Sequence, residues 1–311
     1  MSQVIKKIGE ESNVFGDEIA YVYQYDFSHA NDNDETRIEA ITTVASICYD
    51  NPNVIGKENL YNRLKAEAMG LPSSSFEFVP VLIERSRFDD ILGQAGAWYS
   101  SGDGGDFDYY TLNIEKYGQW IEEDEVQYLL TNYRALLADH ETIKNVYNYK
   151  DITQVYNDEG DARIIAKYSK TFLYKMDIST SKQHNRHRVS LQELSRRYVS
   201  GKKTEFEFYQ SKGLAEVLST TDYTDPDDEM DIAISTQELT EMCIKHYFAA
   251  LKQGVKPQEA RRILPQSMYT TIWSTFLPFQ LGNYLNLRDD LHAQDEIRWL
   301  AQAMKRLLKV D

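Results

Sequence analysis

Apolar and polar residues alternate from Glu18 to Phe27, with an aromatic at every second position from Tyr21 onward, which predicts a strand closed by the polar break at His29 to Asp34. The period then lengthens. Ile38, Ile41, Val44, Ala45 and Cys48 recur at helical spacing and predict a helix over Glu35 to Tyr49, followed by a second over Lys57 to Met69 that Gly70 and Pro72 stop. Phe76 to Ile83 predicts a strand, with Glu77 as an acid inside an apolar run. Ser100 to Asp108 is turn material. Its glycines make no phosphate cradle, because its aspartates repel an anion and no Gly-Lys-Ser/Thr follows.

In the second half the pattern predicts a helix over Glu122 to Asp139 and a strand over Ala162 to Met176. Thr204 to Tyr209 reads as another strand, and Ser219 to Asp231 as an acidic surface loop. Helices are predicted over Ile232 to Gln253, Gln258 to Leu264 and Phe279 to Leu287. Ala293 to Leu308 is an amphipathic helix with Ile297, Leu300, Met304, Leu307 and Leu308 on one face and Asp289 or Asp290 at its start. No internal repeat is visible. The expectation is an α+β fold, a mixed sheet with helices and a helical C-terminal third, in a single domain over 1–311.

One stretch interrupts this pattern. Gln183 to Tyr198 packs Arg186, Arg188, Arg196 and Arg197 with His184, His187, Glu193, Ser190 and Ser195, and is poorly suited to a core. The chain carries a formal net charge of −15, yet Lys182 to Lys203 holds seven basic residues and one acid. An acidic protein that gathers its arginines in one place is suited there to a small anion, since the planar guanidinium gives paired charge-assisted hydrogen bonds to phosphate. The negative balance elsewhere argues against broad nucleic-acid binding. A hydrophobic content of 42% suffices for a sizeable core, and no long uncharged apolar stretch predicts a membrane span. Cys48 and Cys243 lack metal or redox spacing and are expected to be buried free thiols, which points to a reducing, cytoplasmic location. The scattered histidines predict no metal site.

Arg186-His187-Arg188, followed after Val189 to Leu194 by Ser195, Arg196, Arg197 and Tyr198, resembles the signature of the flavin-dependent thymidylate synthases. Glu259-Ala260-Arg261-Arg262-Ile263-Leu264-Pro265 is similar to a helix motif of that family. Asn283 to Arg288, with His292-Ala293-Gln294 and Glu296-Ile297, is similar to its closing segment. Gly70 to Glu77 resembles a further loop, with Leu71 where histidine is usual. Two departures stand out. The spacing before Ser195 is one residue shorter than the family's, and Leu277-Pro278-Phe279 stands where shorter members carry Asn-x-Arg. Thr131-Asn132-Tyr133-Arg134 looks like a segment that a longer branch carries in an insertion, here about 84–160, so Asn132 and Arg134 are expected to replace the missing polar pair near the cofactor.

The resemblance implies conversion of dUMP to dTMP, with methylenetetrahydrofolate as carbon donor and FAD reduced by NADPH as hydride carrier, in a homotetramer with interface sites. It implies dUMP contacts at Gln183, Arg186, Glu193, Ser195, Arg196, Arg197 and Arg261, and at Arg288, which would lie against the uracil and favour ionisation of N3. It implies flavin contacts at Ser74, Glu77, Arg186, His187, Arg188, Glu193 and Asn283. The composition fits this division of labour: the cofactor carries the redox step, and neither cysteine has the basic surroundings of a thiolate nucleophile. Two other readings remain open: a flavin- and folate-dependent enzyme ending in another C5 product, such as a hydroxymethyl group, and a non-catalytic nucleotide-binding homologue.

Overall fold

Five antiparallel strands form the central sheet, and its most interior member is one that alternation does not reveal. The computed structural model describes residues 4–15, 18–65, 72–100, 112–144, 155–197, 206–221 and 232–310. Strands β1 (Lys6–Phe15) and β2 (Glu18–Asp26) pair as a hairpin with a bulge between Lys7 and Gly9. Helix α1 (Asp34–Tyr49) starts at a capping box in which Asn33 accepts from the Thr36 amide and Thr36 accepts from the Asn33 amide. Helix α2 (Glu58–Lys65) follows; the remainder of the helix expected to Met69, up to Leu71, lies outside the described residues.

The expected strand Phe76 to Ile83 is shorter than its apolar run. Ser74–Phe78 winds as a 3-10 turn capped by Ser73, and β3 (Pro80–Glu84) begins only after it. Glu77 therefore sits on a turn. Helix α3 (Arg85–Ser100) and the single turn α4 (Asn113–Lys116) come next, while the turn material from 101 to 108 lies outside the described residues. The helix expected over Glu122 to Asp139 is wrong in its first half. β4 (Gln119–Glu123) and β5 (Val126–Asn132) form a hairpin whose two turn residues, Asp124 and Glu125, both have positive φ, and only then does α5 (Tyr133–Lys144) start. The expected strand Ala162 to Met176 likewise divides into α6 (Glu159–Tyr168), begun by an Asp158 capping box, and β6 (Lys170–Asp177). In both places a junction without glycine or proline left the change of period unmarked.

Helix α7 (Ile178–His184) and the short β7 (Ser190–Glu193) carry the arginine segment. Phe208 makes an isolated bridge to Met268, closed by the Tyr209 amide donating to the Ser267 carbonyl and the Tyr269 amide donating to the Glu207 carbonyl; residues 204 and 205 of the predicted Thr204 to Tyr209 strand lie outside the described residues. After α8 (Lys212–Ala215), β8 (Leu218–Thr221) pairs with β9 (Ile232–Ser235), so the helix expected from Ile232 begins four residues late, as α9 (Thr236–Lys252), at the Ser235 capping box. The loop predicted from Ser219 is strand as far as Thr221, and 222–231 lies outside the described residues. α10 (Pro257–Ala260) leads through a 3-10 turn at Arg261–Ile263 to β10 (Tyr269–Phe276), α11 (Pro278–Arg288) and α12 (Asp295–Leu308). Gln294, not Asp289 or Asp290, stands at the start of α12; Asp289 binds Gln302 and Lys305 along it.

The sheet order is β1-β2-β6-β10-β7. β10 is buried on both faces, which is why its sequence shows no alternation. Val22, Phe172, Tyr174 and Ile272 face α12, packing on Leu300, Ala301 and Met304. The opposite face gives Trp273 and Leu173 to the core that holds Ile41 and Val44 of α1. The second sheet, β3-β5-β4, joins that same core through Phe78, Leu129 and Tyr133, and Asn157 fastens β3 by donating to the Pro80 carbonyl and accepting from the Leu82 amide. The fold is mixed α and β. Neither Cys48 nor Cys243 is in a disulfide, and both are half-buried, which corrects the expectation of buried thiols.

Candidate active site

Two helix ends meet where the arginine segment begins. Asp177 caps α7 by accepting from the Ser179 and Thr180 amides, and a backbone turn at its other end, where the His187 amide donates to the His184 carbonyl, reverses the chain. That turn separates the signature residues. Arg186 and Arg188 are exposed, while His187 folds back to 8% exposure against α11. His184 is fully buried between the Ser274 hydroxyl at 2.7 Å and the Tyr284 hydroxyl at 3.0 Å, and burial pushes its imidazole down to about 3. It is a core histidine.

Arg288, the last residue of α11, points back across this junction. Its Nε donates to His187 Nε2 at 2.7 Å and its NH2 to the Gln183 carbonyl at 2.8 Å, one of the carbonyls left unpaired at the C-terminus of α7. Because Nε2 accepts, the proton of neutral His187 sits on Nδ1. Burial, and then the Arg288 charge, push that imidazole down to about 4. The Gln183 side chain donates to Gln294 at 2.5 Å. Gln183, His187 and Arg288 thus form one cluster, drawn from segments about a hundred residues apart.

A second cluster lines the β7 edge. Ser74 donates to Gln192 Oε1 at 2.5 Å, Gln192 donates to the Cys48 sulfur at 2.6 Å, and that thiol donates to the Glu193 carbonyl at 3.2 Å. Among the described residues the Glu193 carboxylate accepts only long bonds, from Ser181 at 3.5 Å and Asn185 at 3.4 Å, and so retains capacity for a ligand. Beside this edge a cleft of about 30 Å³ is lined by Glu77, Asn132, Tyr117, Ser190, Thr275 and Gln280. The Asn132 side chain accepts from the Ala135 amide at the start of α5, and Arg134 binds Glu77 at 2.5 Å. Gln280, one turn into α11, holds the Arg188 carbonyl at 2.8 Å.

The remaining candidates are placed differently. Arg196 turns inward at 9% exposure, with its guanidinium 5.1 Å from the centre of the Phe206 ring and one long bond to the Tyr269 carbonyl; its Nε and NH1 have no partner among the described residues. Burial lowers its pKa. Arg197 is exposed, its amide donating to the Ser195 hydroxyl. Arg261 is exposed on the 3-10 turn beside α9, and Asn283 is exposed on α11. The segment after Arg261 is nevertheless tied to the site, because the Gln266 and Met268 carbonyls accept from the first amides of α7. Gln192, Gln280 and Gln294 were not singled out in the sequence. Only Gln294 carried a signal, its place in the closing motif.

Fold and site together define an α+β protein with a polar site along one sheet edge, built round a fixed guanidinium. The chain belongs to the thymidylate synthase complementing protein family, whose description matches residues 116–310. It is similar to the flavin-dependent thymidylate synthase of Aquifex aeolicus (strain VF5), with 33% identity over 143 residues, 44% of this chain and 44% of that protein. The flavin-dependent thymidylate synthase of Kosmotoga olearia is 35% identical over 148 residues, 44% of this chain and 61% of that protein. The chain therefore spans about half the length of the curated relatives it matches. A crystal structure of the UMP/dUMP methylase PolB from Streptomyces cacaoi, bound with 5-Br UMP, is 28% identical over 45% of this chain and 67% of that chain, at a TM-score of 0.33. No helix of the described residues is long and apolar enough to cross a membrane. No group of three or more metal-ligating side chains occurs among them.

Proposed function

We propose that this protein is a flavin-dependent thymidylate synthase that methylates C5 of dUMP, taking the carbon from methylenetetrahydrofolate and the hydride, by way of FAD, from NADPH. The observation that carries the reading is Arg288, a permanent cation held by the Gln183 carbonyl and the His187 ring at the border of the arginine segment. A fixed positive charge there stabilises the anion left when a uracil gives up its N3 proton, and so makes the ring more nucleophilic at C5. Arg186, Arg197 and Arg261, all exposed, suit a phosphate dianion, while Ser195, Gln183 and Glu193 suit its remaining oxygens and the sugar hydroxyls. Arg196 would reach the same anion only by turning outward, since its Nε and NH1, without a partner among the described residues, are buried.

The donor set also fits FAD. Two exposed guanidiniums, Arg186 and Arg188, suit its diphosphate, and Ser74, Glu77, Asn132 and Asn283 suit its ring and ribose edges. Bound flavin would supply the hydride that completes the methyl group. The cleft beside β7, about 30 Å³ among the described residues, is far smaller than the roughly 300–1,000 Å³ of a cofactor site. The homotetramer that the resemblance implies would complete it with residues from further copies of the chain.

The test is NADPH oxidation by the FAD-reconstituted protein with methylenetetrahydrofolate, with and without dUMP, and mass analysis of the nucleotide. Product heavier than dUMP by one methylene supports the proposal. An additional oxygen marks a hydroxymethyl product, and protein that binds dUMP but takes up no flavin is a nucleotide-binding homologue.

A further inference from the structure

We infer that His187 is a positioning residue for Arg288: its neutral imidazole orients the guanidinium without cancelling its charge. The inference rests on the reading that Arg288 meets the pyrimidine.

A guanidinium has five N–H donors in a rigid fork, so fixing two of them fixes the rest. In Arg288 the Nε proton goes to His187 Nε2 and one NH2 proton to the Gln183 carbonyl, which leaves NH1 and the other NH2 proton without a hydrogen-bond partner among the described residues. The ring that accepts is itself immobilised. His187 lies edge-on to Tyr284 with centroids 4.7 Å apart, and Tyr284 is hydrogen-bonded to the buried His184, which reaches Ser274 on β10. The orientation of Arg288 is thereby referred to the central sheet.

The chemistry of the acceptor is the informative part. An arginine is most often anchored by a carboxylate, but a carboxylate here would pair its charge and weaken the field at a developing pyrimidine anion. A protonated histidine would have no lone pair to accept and would repel the guanidinium. A neutral imidazole avoids both faults. Burial against Tyr284 and the Arg288 charge keep His187 in that form.

Three variants of the full chain separate this role from a flavin contact: His187→Gln keeps a neutral acceptor, His187→Phe keeps a ring without one, and His187→Glu keeps an acceptor but adds a charge. Circular dichroism checks folding, fluorescence titration gives FAD affinity, and steady-state kinetics give kcat and KM for dUMP. The inference expects His187→Phe and His187→Glu to lose roughly tenfold or more in kcat with FAD affinity within a few-fold of wild type, and His187→Gln to recover most of the loss. Equal kcat in His187→Phe and wild type overturns it. So does a His187→Gln variant no better than His187→Phe, or a loss of FAD affinity that accounts for the loss of rate. A wild-type protein that binds no dUMP overturns the functional reading itself, and is distinguished because it needs no variant.

Discussion

Arg134, in the first turn of α5, donates to Glu77 Oε1 at 2.5 Å and to the Pro72 carbonyl at 2.7 Å, so a single guanidinium spans the 3-10 turn that also carries Ser74. Resemblance placed Arg134 near the cofactor as a direct contact. The hydrogen bonds also give it a grip on the turn whose serine and glutamate face the β7 edge. Arg134→Ala should cost about 1 kcal/mol of stability, since both partners are only partly buried. It should also weaken FAD binding several-fold through Glu77. A double-mutant cycle of Arg134→Ala with Glu77→Gln, read by urea melts and FAD titration, should show coupling in both. Unchanged FAD affinity and turnover in Arg134→Ala would remove Arg134 from the cofactor site.

The candidate site residues were marked in the sequence by their motifs, and the scaffold was legible only in part. Long helices with one apolar face, α1 and α12, were legible because one side of each meets solvent. β10 was not, because Ile272 and Ser274 on one side and Trp273 on the other are all buried. The β4-β5 hairpin was missed for another reason: its turn uses Asp124 and Glu125 at positive φ, where glycine or asparagine would have announced it. In the site, the motif spacing singled out His187 and Arg288 but could not pair them. Their contact depends on the tight turn after His184 and on where α11 ends.

Arg37 joins α1 to the segment expected as an insertion. It is 1% exposed, donates to Asn31 at 2.8 Å, the Tyr133 hydroxyl at 3.1 Å and the Val155 carbonyl at 3.4 Å, and lies against the Tyr133 and Tyr156 rings. Its ion partner Asp34 is largely exposed and contributes little. Arg37→Leu should therefore cost about 3–5 kcal/mol by stranding buried acceptors, and Tyr133→Phe only about 1 kcal/mol. Urea midpoints check this. A loss under about 1 kcal/mol in Arg37→Leu would show that the two segments hold together without it.

Gly118 precedes β4 where the chain passes close to two neighbours. A Cβ there would lie 2.5 Å from the Ile114 carbonyl oxygen and 2.8 Å from Leu129 Cδ1, and a backbone oxygen cannot swing aside as a side-chain tip can. Gly118→Ala should destabilise by about 1–3 kcal/mol. Gly213 has nothing within 4 Å of the same position, and Gly213→Ala should change stability by less than about 1 kcal/mol. Thermal melts of the pair provide the comparison, and equal shifts would contradict the steric account.

His184 makes stability depend on pH in a predictable direction. Its imidazole is ordinary in the unfolded chain, at 6.5, and about 3 in the fold, where there is no room to solvate a charge. Below 6.5 the unfolded chain therefore binds a proton that the folded chain refuses. Its contribution is fully present above pH 6.5 and declines by about 1.4 kcal/mol per pH unit as the pH falls toward 3. His187, at about 4 in the fold, adds a parallel decline over a shorter range. His184→Phe separates the two, because His187 remains. At pH 8 the variant should be less stable than wild type by about 1–3 kcal/mol, having left the Ser274 and Tyr284 hydroxyls without their partner. Between pH 6.5 and 4 its curve should fall less steeply, so that the gap narrows and can reverse. Denaturant midpoints at unit steps of pH measure both curves, and if they ran parallel, protonation of the unfolded chain at His184 would not be what acid exploits.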